Sequence, residues 1–281
     1  MPEPTASTPQ LLRVSGVTFA LDHRSDLADA VVHQVVDETR EAVPFFGELT
    51  DDSFEMRMDD ALMRLDRGTP HLLRIETAAP LAEDGLIHPF LSLPAAVIQQ
   101  WCGRLVLHAS AFDVGGKAVV LLGHREAGKS TTVAAALEAG FAVRADDVVV
   151  LDGDHALPGT SVIDLREPAS VVFGGRALGR IGSRDRWRIY LDEPQASVPV
   201  AAFVRLSWGD DVRVSELGAA ELVSALYSAS ALGDGHGRHL RHRPRAVLDL
   251  LDIRCLELQR PRDLNQLPGA VMQLADLVAA G

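Results

Sequence analysis

An α/β fold built around one strand–loop–helix–strand core is what this sequence predicts, on three observations. The segment "LLGHREAGKSTT" (residues 121–132) sets Gly123 four residues ahead of Gly128-Lys129-Ser130. Apolar strand-like runs precede it, and a helix-like run and a second strand-like run follow it, which is the context that gives such a loop meaning. The 281 residues are 47% hydrophobic and 23% charged, an ordinary globular composition with length enough for one large domain, or a larger domain with a smaller partner.

Taken in order, the elements read as follows. Residues 1–10, "MPEPTASTPQ", are a Pro/Thr/Ser-rich tail with no basic start or apolar h-region, so no signal peptide is expected. Residues 11–93 read as a small α+β region. In it "DLADAVVHQVVDETR" (26–40) is expected to be a helix and "HLLRIE" (71–76) a strand. "LPAAVIQQWCG" (93–103) reads as a helix with Pro94 in its first turn and Gly103 as its stop. The larger domain is expected over residues 94–281.

"RLVLHASAFDVGGKAVVLLG" (104–123) reads as two strands joined by a "DVGG" turn. "GKSTTVAAALEAG" (128–140) is a helix closed by Gly140, and "FAVRADDVVVLDG" (141–153) returns as a strand. Farther on, "RWRIYLDE" (186–193), "VAAFVRLSW" (200–208) and "IRCLELQ" (253–259) read as strands. "GAAELVSALYSASAL" (218–232) and "PGAVMQLADLVAA" (268–280) read as helices. Between them "GDGHGRHLRHRPR" (233–245) is a glycine- and cation-rich loop carrying His236, His239 and His242, suited to an anionic partner or to solvent rather than to a metal.

Charge and cysteine content narrow the class. Lys and Arg number 27 against 39 Asp and Glu, a net charge of −12, so neither nucleic acid nor an anionic membrane is an expected partner. No apolar run reaches the length of a membrane span. Cys102 and Cys255 lie far apart without metal spacing, which fits reduced thiols in a cytoplasmic protein.

The glycine loop has a physical logic. Gly123 and Gly128 permit backbone angles that a Cβ would penalise, so successive N–H groups of His124, Arg125, Glu126 and Ala127 can converge on phosphates. The helix beginning near Lys129 adds its positive end, with Ser130 and Thr131 in its first turn. Lys129 is placed to reach the β- and γ-phosphates and the Ser130 hydroxyl to ligate Mg²⁺. The bulky, charged filling His124-Arg125-Glu126-Ala127 leaves both glycines in place. Arg125 and Glu126 are expected to help choose a phosphoryl acceptor or to tighten the loop.

Two sets of carboxylates compete to complete a metal site. Asp152 ends the run Val148–Leu151, as in a Walker B strand. The pair Asp146-Asp147 precedes that run. If the strand enters at Phe141 and runs parallel to 117–122, the sheet edge that carries the loop falls near Asp146, and Asp152 lies in the turn beyond. Two adjacent carboxylates, one for a metal and one free to accept a proton, suit phosphorylation of a hydroxyl. His108, on the preceding strand, reads from burial alone as a core residue.

The stretch "LHASAFDVGGKAVVLLGHREAGKSTTVAAALEAGFAVRADDVVVL" resembles the catalytic core of HPr kinase/phosphorylase and its relatives. These include kinases of lasso-peptide precursors and of free serine, and a fold relation to phosphoenolpyruvate carboxykinase. The resemblance covers about residues 100–152 and, with Asp in place of Glu and a shorter spacing, extends to "VIDLREP" (162–168). It implies that His108 hydrogen-bonds and tunes an aspartate of the pair and that Asp146 is the base. It further implies that Asp147 holds Mg²⁺ with Ser130, that Asp164 is a second metal ligand and that Arg166 stabilises charge. Arg180, Arg184, Arg186 and Arg188 are further candidates for neutralising a transferring group. The region that would carry the hexameric assembly of HPr kinases matches least, and a homo-oligomer is left as an expectation.

The expected function is thus an ATP- and Mg²⁺-dependent kinase acting on a serine hydroxyl of a peptide or small protein, such as a biosynthetic precursor peptide. A kinase of a small hydroxyl-bearing molecule such as free serine is the alternative within that class. A non-transferring nucleotide-binding regulator or ATPase that uses Asp152 is the rival from another class. The same site run backwards as a phosphorolase and a degenerate relative complete the set.

Overall fold

The computed structural model describes residues 10–22, 26–181, 184–192, 196–229 and 244–280. The 1–10 tail, apart from Gln10, and the 233–245 loop, apart from Pro244 and Arg245, lie outside them. The chain is mixed α/β with several sheets and divides into two compact units, residues 1–98 and 99–281.

The first unit holds one seven-stranded sheet and a helical segment. Its strands are β1 (Leu11–Val14), β2 (Val17–Leu21), β3 (Ala30–Val36), β4 (Val43–Leu49), β5 (Ser53–Asp59), β6 (Ala61–Asp66) and β7 (His71–Thr77), in the order β1-β2-β3-β7-β6-β5-β4. The expected helix over 26–40 is therefore wrong. Residues Ala30–Val36, "AVVHQVV", form a strand seated parallel between β2 and β7. Four β-branched valines in seven residues lose less freedom in a pleated strand than in a helix. The helix α1 (Ser92–Trp101) contains the division between the units and ends before Gly103, whose φ of 90° stops it.

The second unit is centred on a nine-stranded sheet. Its first members are β8 (Leu105–Leu107), β9 (Ser110–Val114) and β10 (Lys117–Leu122), three strands where two were expected, with the break at His108-Ala109. β9 and β10 form a hairpin whose turn residues Gly115 and Gly116 have φ of 61° and 80°. Positive φ at both positions matches the twist of the flanking strands.

The helix α2 (Lys129–Glu138) follows the glycine loop. The returning strand is split into β11 (Val143–Ala145) and β12 (Val149–Asp152), interrupted at Asp146-Asp147, where Asp147 takes φ 67°. β11 is not the neighbour of β10. It pairs antiparallel with β9, which lies between them, so β11 and β10 run in the same sense.

β13 (His155–Ala156), β17 (Val198–Trp208), β18 (Arg213–Leu217) and β19 (Arg254–Arg260) complete the sheet. β17 is parallel to both β10 and β19. A separate three-stranded sheet has the order β14 (Val162–Leu165), β16 (Arg184–Tyr190), β15 (Arg176–Ile181), and the short helix α3 (Ala169–Phe173) follows β14.

Alternation along β10 decides the layers. Val119 and Leu121 pack with α2, with Ile163 and Leu165 of β14 and with α6 (Leu267–Ala279). Ala118, Val120 and Leu122 face the other way, towards α4 (Ala219–Ser228) and α5 (Pro244–Leu248). All of these β10 side chains are fully buried, each large one contributing about 1.5–3 kcal/mol. The result is a helix–sheet–helix sandwich. Cys255 is buried here, which pushes its thiol up to about 11, whereas Cys102 is exposed, and both are free. Among the described residues no helix is long and apolar enough to cross a membrane.

Candidate nucleotide site

The carboxyl ends of β10, β11, β17 and β19 share one edge of the sheet. The register places Ala145 opposite Ala111, Ala111 opposite Val120, and Leu122 opposite Arg205. The glycine loop, the aspartate pair and the end of β17 therefore emerge together, which is where open α/β sheets place ligands.

The loop is held from inside. Lys129 is 6% exposed, and its ammonium donates to the carbonyl oxygens of Gly123 at 2.9 Å and His124 at 3.3 Å. Burial pulls its pKa below the ordinary lysine range, while the negative charges of Asp147 and Asp146 push it back up. Gly128 takes φ 84°, and a Cβ there would stand 2.8 Å from Nη2 of Arg260 and 3.3 Å from the Trp208 ring. At Gly123 a Cβ would stand 2.7 Å from that of Ala127. Both positions require glycine for space, and Gly128 for conformation as well. The Thr132 hydroxyl closes the first helical turn by donating to the Gly128 carbonyl at 2.8 Å.

The filling of the loop has partners of its own. The His124 Nδ1 proton goes to the Arg125 carbonyl oxygen at 2.6 Å. Glu126 takes φ 70°, unusual for a residue with a side chain. Its carboxylate lies 3.0 Å from Arg184 and 3.7 Å from Arg166. These arginines reach the loop from the three-stranded sheet and from the segment after β14. Arg125 is exposed.

The two aspartates occupy different surroundings. Asp146 is 4% exposed and accepts a 2.6 Å hydrogen bond from the Ser110 hydroxyl, while its backbone carbonyl accepts from Val148. The Asp147 side chain is 37% exposed and meets His108: Nδ1 lies 3.2 Å from Oδ1 and 3.0 Å from the Asp147 carbonyl oxygen. Both neighbours are acceptors, which puts the proton on Nδ1. His108 is thus a half-buried partner of Asp147 rather than a core residue. Its own N–H donates to Ala229 O at 2.6 Å.

Asp164, expected as a second metal ligand, faces an arginine. It lies directly opposite Arg188 in the β14–β16 register, and its Oδ1 and Oδ2 receive Nε and Nη2 of that arginine at 2.7 and 2.8 Å. The pair is shut away from water, with side-chain exposures of 5% and 0%. Its two oxygens are committed to a fork that matches carboxylate geometry. The same contact removes Arg188 from the arginines considered for charge neutralisation.

Asp152 lies at the other end of the sheet. It is level with His155 and, through it, with Pro199 at the start of β17, roughly 20 Å of strand away from the loop level at Arg205. It is exposed and accepts from Arg104 Nε at 3.1 Å before the Gly153 turn. That is the turn residue expected of it, not a Walker B acid.

Sequence reading missed Ser110, Trp208, Arg260 and Arg262. Trp208 and Arg260 are opposite one another at the carboxyl ends of two parallel strands, and an aromatic or a cation at such an end is the signal that was there to find. Among the described residues no group of three or more His, Cys, Asp or Glu side chains is arranged to hold a metal. The oxygen donors at the loop are the Ser130 hydroxyl and the carboxylates of the pair, few and hard. That set suits magnesium, which keeps most of its shell from water and phosphate.

No family model and no curated protein matches this chain. Among solved structures the chain is similar to the HPr(Ser) kinase/phosphatase from Coxiella burnetii at 12% identity, over 63% of this chain and 99% of that one, with a TM-score of 0.30. A score of that size does not establish a shared fold.

Proposed function

We propose that this chain is an ATP-dependent kinase that transfers the γ-phosphate to an aliphatic hydroxyl, a serine of a peptide or small protein. The observation that carries the reading is the convergence of the Asp146-Asp147 pair, with His108, on the sheet edge that bears the Lys129 loop. A nucleotide-binding switch has no need of a second carboxylate tied to a histidine, whereas hydroxyl phosphorylation needs a base.

From the burial of the two carboxylates we read their roles in the reverse of the sequence expectation, which made Asp146 the base and Asp147 the metal ligand. A base must touch the acceptor hydroxyl. Asp147 is accessible, and His108 holds its Oδ1 in place, so Asp147 is the proton acceptor in this reading. Asp146, buried against Ser110, anchors the strand break and adds negative charge to the site. Loop N–H groups and Lys129 bind and orient the triphosphate. Ser130, with a carboxylate of the pair, would hold Mg²⁺, which supplies charge neutralisation on the phosphates when bound. Arg166 and Arg184, paired with Glu126, would meet charge on the transferring group.

The acceptor oxygen bonds to the γ-phosphorus as the β–γ bridging bond breaks; ADP leaves, and the hydroxyl proton passes to Asp147. Transfer from labelled ATP to candidate serine peptides and to free serine tests this. Asp147→Asn should lower transfer by 10²-fold or more, by the usual worth of a general base, with ATP affinity kept. Transfer at the wild-type rate by Asp147→Asn would remove the assigned base.

A further inference from the structure

On the opposite side of the loop from the aspartate pair, Gly128 and Thr131 border a cleft closed by Trp208, Arg260 and Arg262, with the Asp263 carboxylate at its rim held by Asn265 and Gln266. It continues past Trp208, Gly209 and Asp210 into an open cavity of about 440 Å³. Arg260 is 2% exposed, and the charge that acts on it is the like charge of Arg262, not that of a carboxylate. It donates to the carbonyl oxygens of Ala127 at 2.5 Å and Ser207 at 3.1 Å, while its Nε has no partner. Burial, with the like charge of Arg262, pulls its pKa down to about 10. Both guanidiniums lie against the Trp208 ring, at 4.3 Å for Arg260 and 4.5 Å for Arg262 from its centre.

A buried guanidinium without a counter-ion is costly, and an anion beside it relieves that cost. The Arg260–Ala127 bond ties it to the loop that would hold phosphates. Arg262, exposed at the rim and backed by the Trp208 ring, presents a flat cationic surface beyond the point where a phosphate chain running from the aspartate pair past Gly128 would end. Flat cationic and aromatic faces bind planar, electron-rich rings.

We infer that the Trp208–Arg262 shelf is the nucleobase subsite of the bound nucleoside triphosphate, with Arg260 as the buried positive charge that couples the shelf to the phosphate loop. The inference rests on the loop's binding a nucleotide, as proposed above. It assigns to the shelf the recognition of a nucleoside over a bare phosphate chain.

Calorimetry with ATP and with inorganic tripolyphosphate separates the parts. The wild-type chain should bind ATP at least tenfold more tightly than tripolyphosphate. Trp208→Leu removes the ring without changing charge and should weaken ATP roughly tenfold, with tripolyphosphate changed less than about twofold, the size expected for one stacked base. Arg262→Met, at the exposed rim, reads the same contact should the tryptophan variant fail to fold, and should likewise cut the preference for ATP. Equal loss of both ligands would make the shelf a mere support for the loop, and no loss of either would remove it from the site; each result overturns the inference. A wild-type chain that binds tripolyphosphate as tightly as ATP overturns the subsite and leaves the phosphate loop standing. Binding of neither overturns both.

Discussion

Replacing Asp164 by Asn separates a structural carboxylate from a metal ligand. Asparagine keeps one acceptor for the Arg188 fork and turns an NH₂ group towards the other donor, so the guanidinium loses the negative charge it faces. Arg188 cannot respond by losing its proton, since arginine stays charged in proteins. Its side chain is 0% exposed, so water cannot replace the lost partner. Breaking one side of a buried pair costs about 3–5 kcal/mol. In a unit of this size each kcal/mol moves the thermal midpoint by about 2–4 °C, so the expected drop is roughly 6–20 °C.

Trp101, Trp187 and Trp208, the three tryptophans of the chain, all fall in the unit of residues 99–281. Tryptophan fluorescence therefore follows that unit without interference from the other. The paired variant Asp164→Leu with Arg188→Met should recover most of the loss, because replacing both charges removes the uncompensated one. A midpoint unchanged by Asp164→Asn, together with a weakened Mg²⁺ requirement for transfer, would refute the structural assignment and restore Asp164 as a ligand.

Two further outcomes follow from the loop. Burial lowers the Lys129 pKa, so ATP affinity should fall as pH rises through that lowered value, at lower pH than for an ordinary lysine at 10.5. Stability moves the other way in that window: the unfolded chain still holds the proton that the folded one has released, so raising pH favours the folded state. Calorimetric ATP affinities between about pH 7 and about pH 9, below the range where Arg260 loses its proton, test the first statement, and Lys129→Arg should flatten the profile there, since a guanidinium stays charged; a wild-type affinity independent of pH would contradict it. Gly128→Ala places a methyl group against Arg260 and Trp208 on a left-handed backbone, costing about 1–2 kcal/mol in backbone strain alone. It should lower the melting temperature and the ATP affinity together, and unchanged values of both would show that the loop rearranges freely.

Local chemistry made some of this legible. The "DVGG" turn, the loop glycines, the helix from Lys129 and its glycine stop are each decided by residues within a few positions of one another, so the sequence alone predicts them. The 26–40 segment failed because its apolar residues suit either period, and only the neighbours β2 and β7 chose the strand. The aspartate pair was legible as a pair, but its division was not. Which carboxylate is buried depends on the left-handed turn at Asp147, and that turn is set by β11 and β12 joining different neighbours.

By itself the sequence determined that a glycine-framed loop with Lys129 and Ser130 joins a strand to a helix, and that two aspartates follow shortly after the helix. Tertiary structure alone decided who faces whom across strands. Asp164 meets Arg188, and Trp208 meets Arg260, because strand register sets them opposite each other, 24 and 52 residues apart in the chain. Register is the outcome of packing whole strands against a common core, and a shift of one residue would turn each of these side chains to the other face. No short stretch of sequence carries that information.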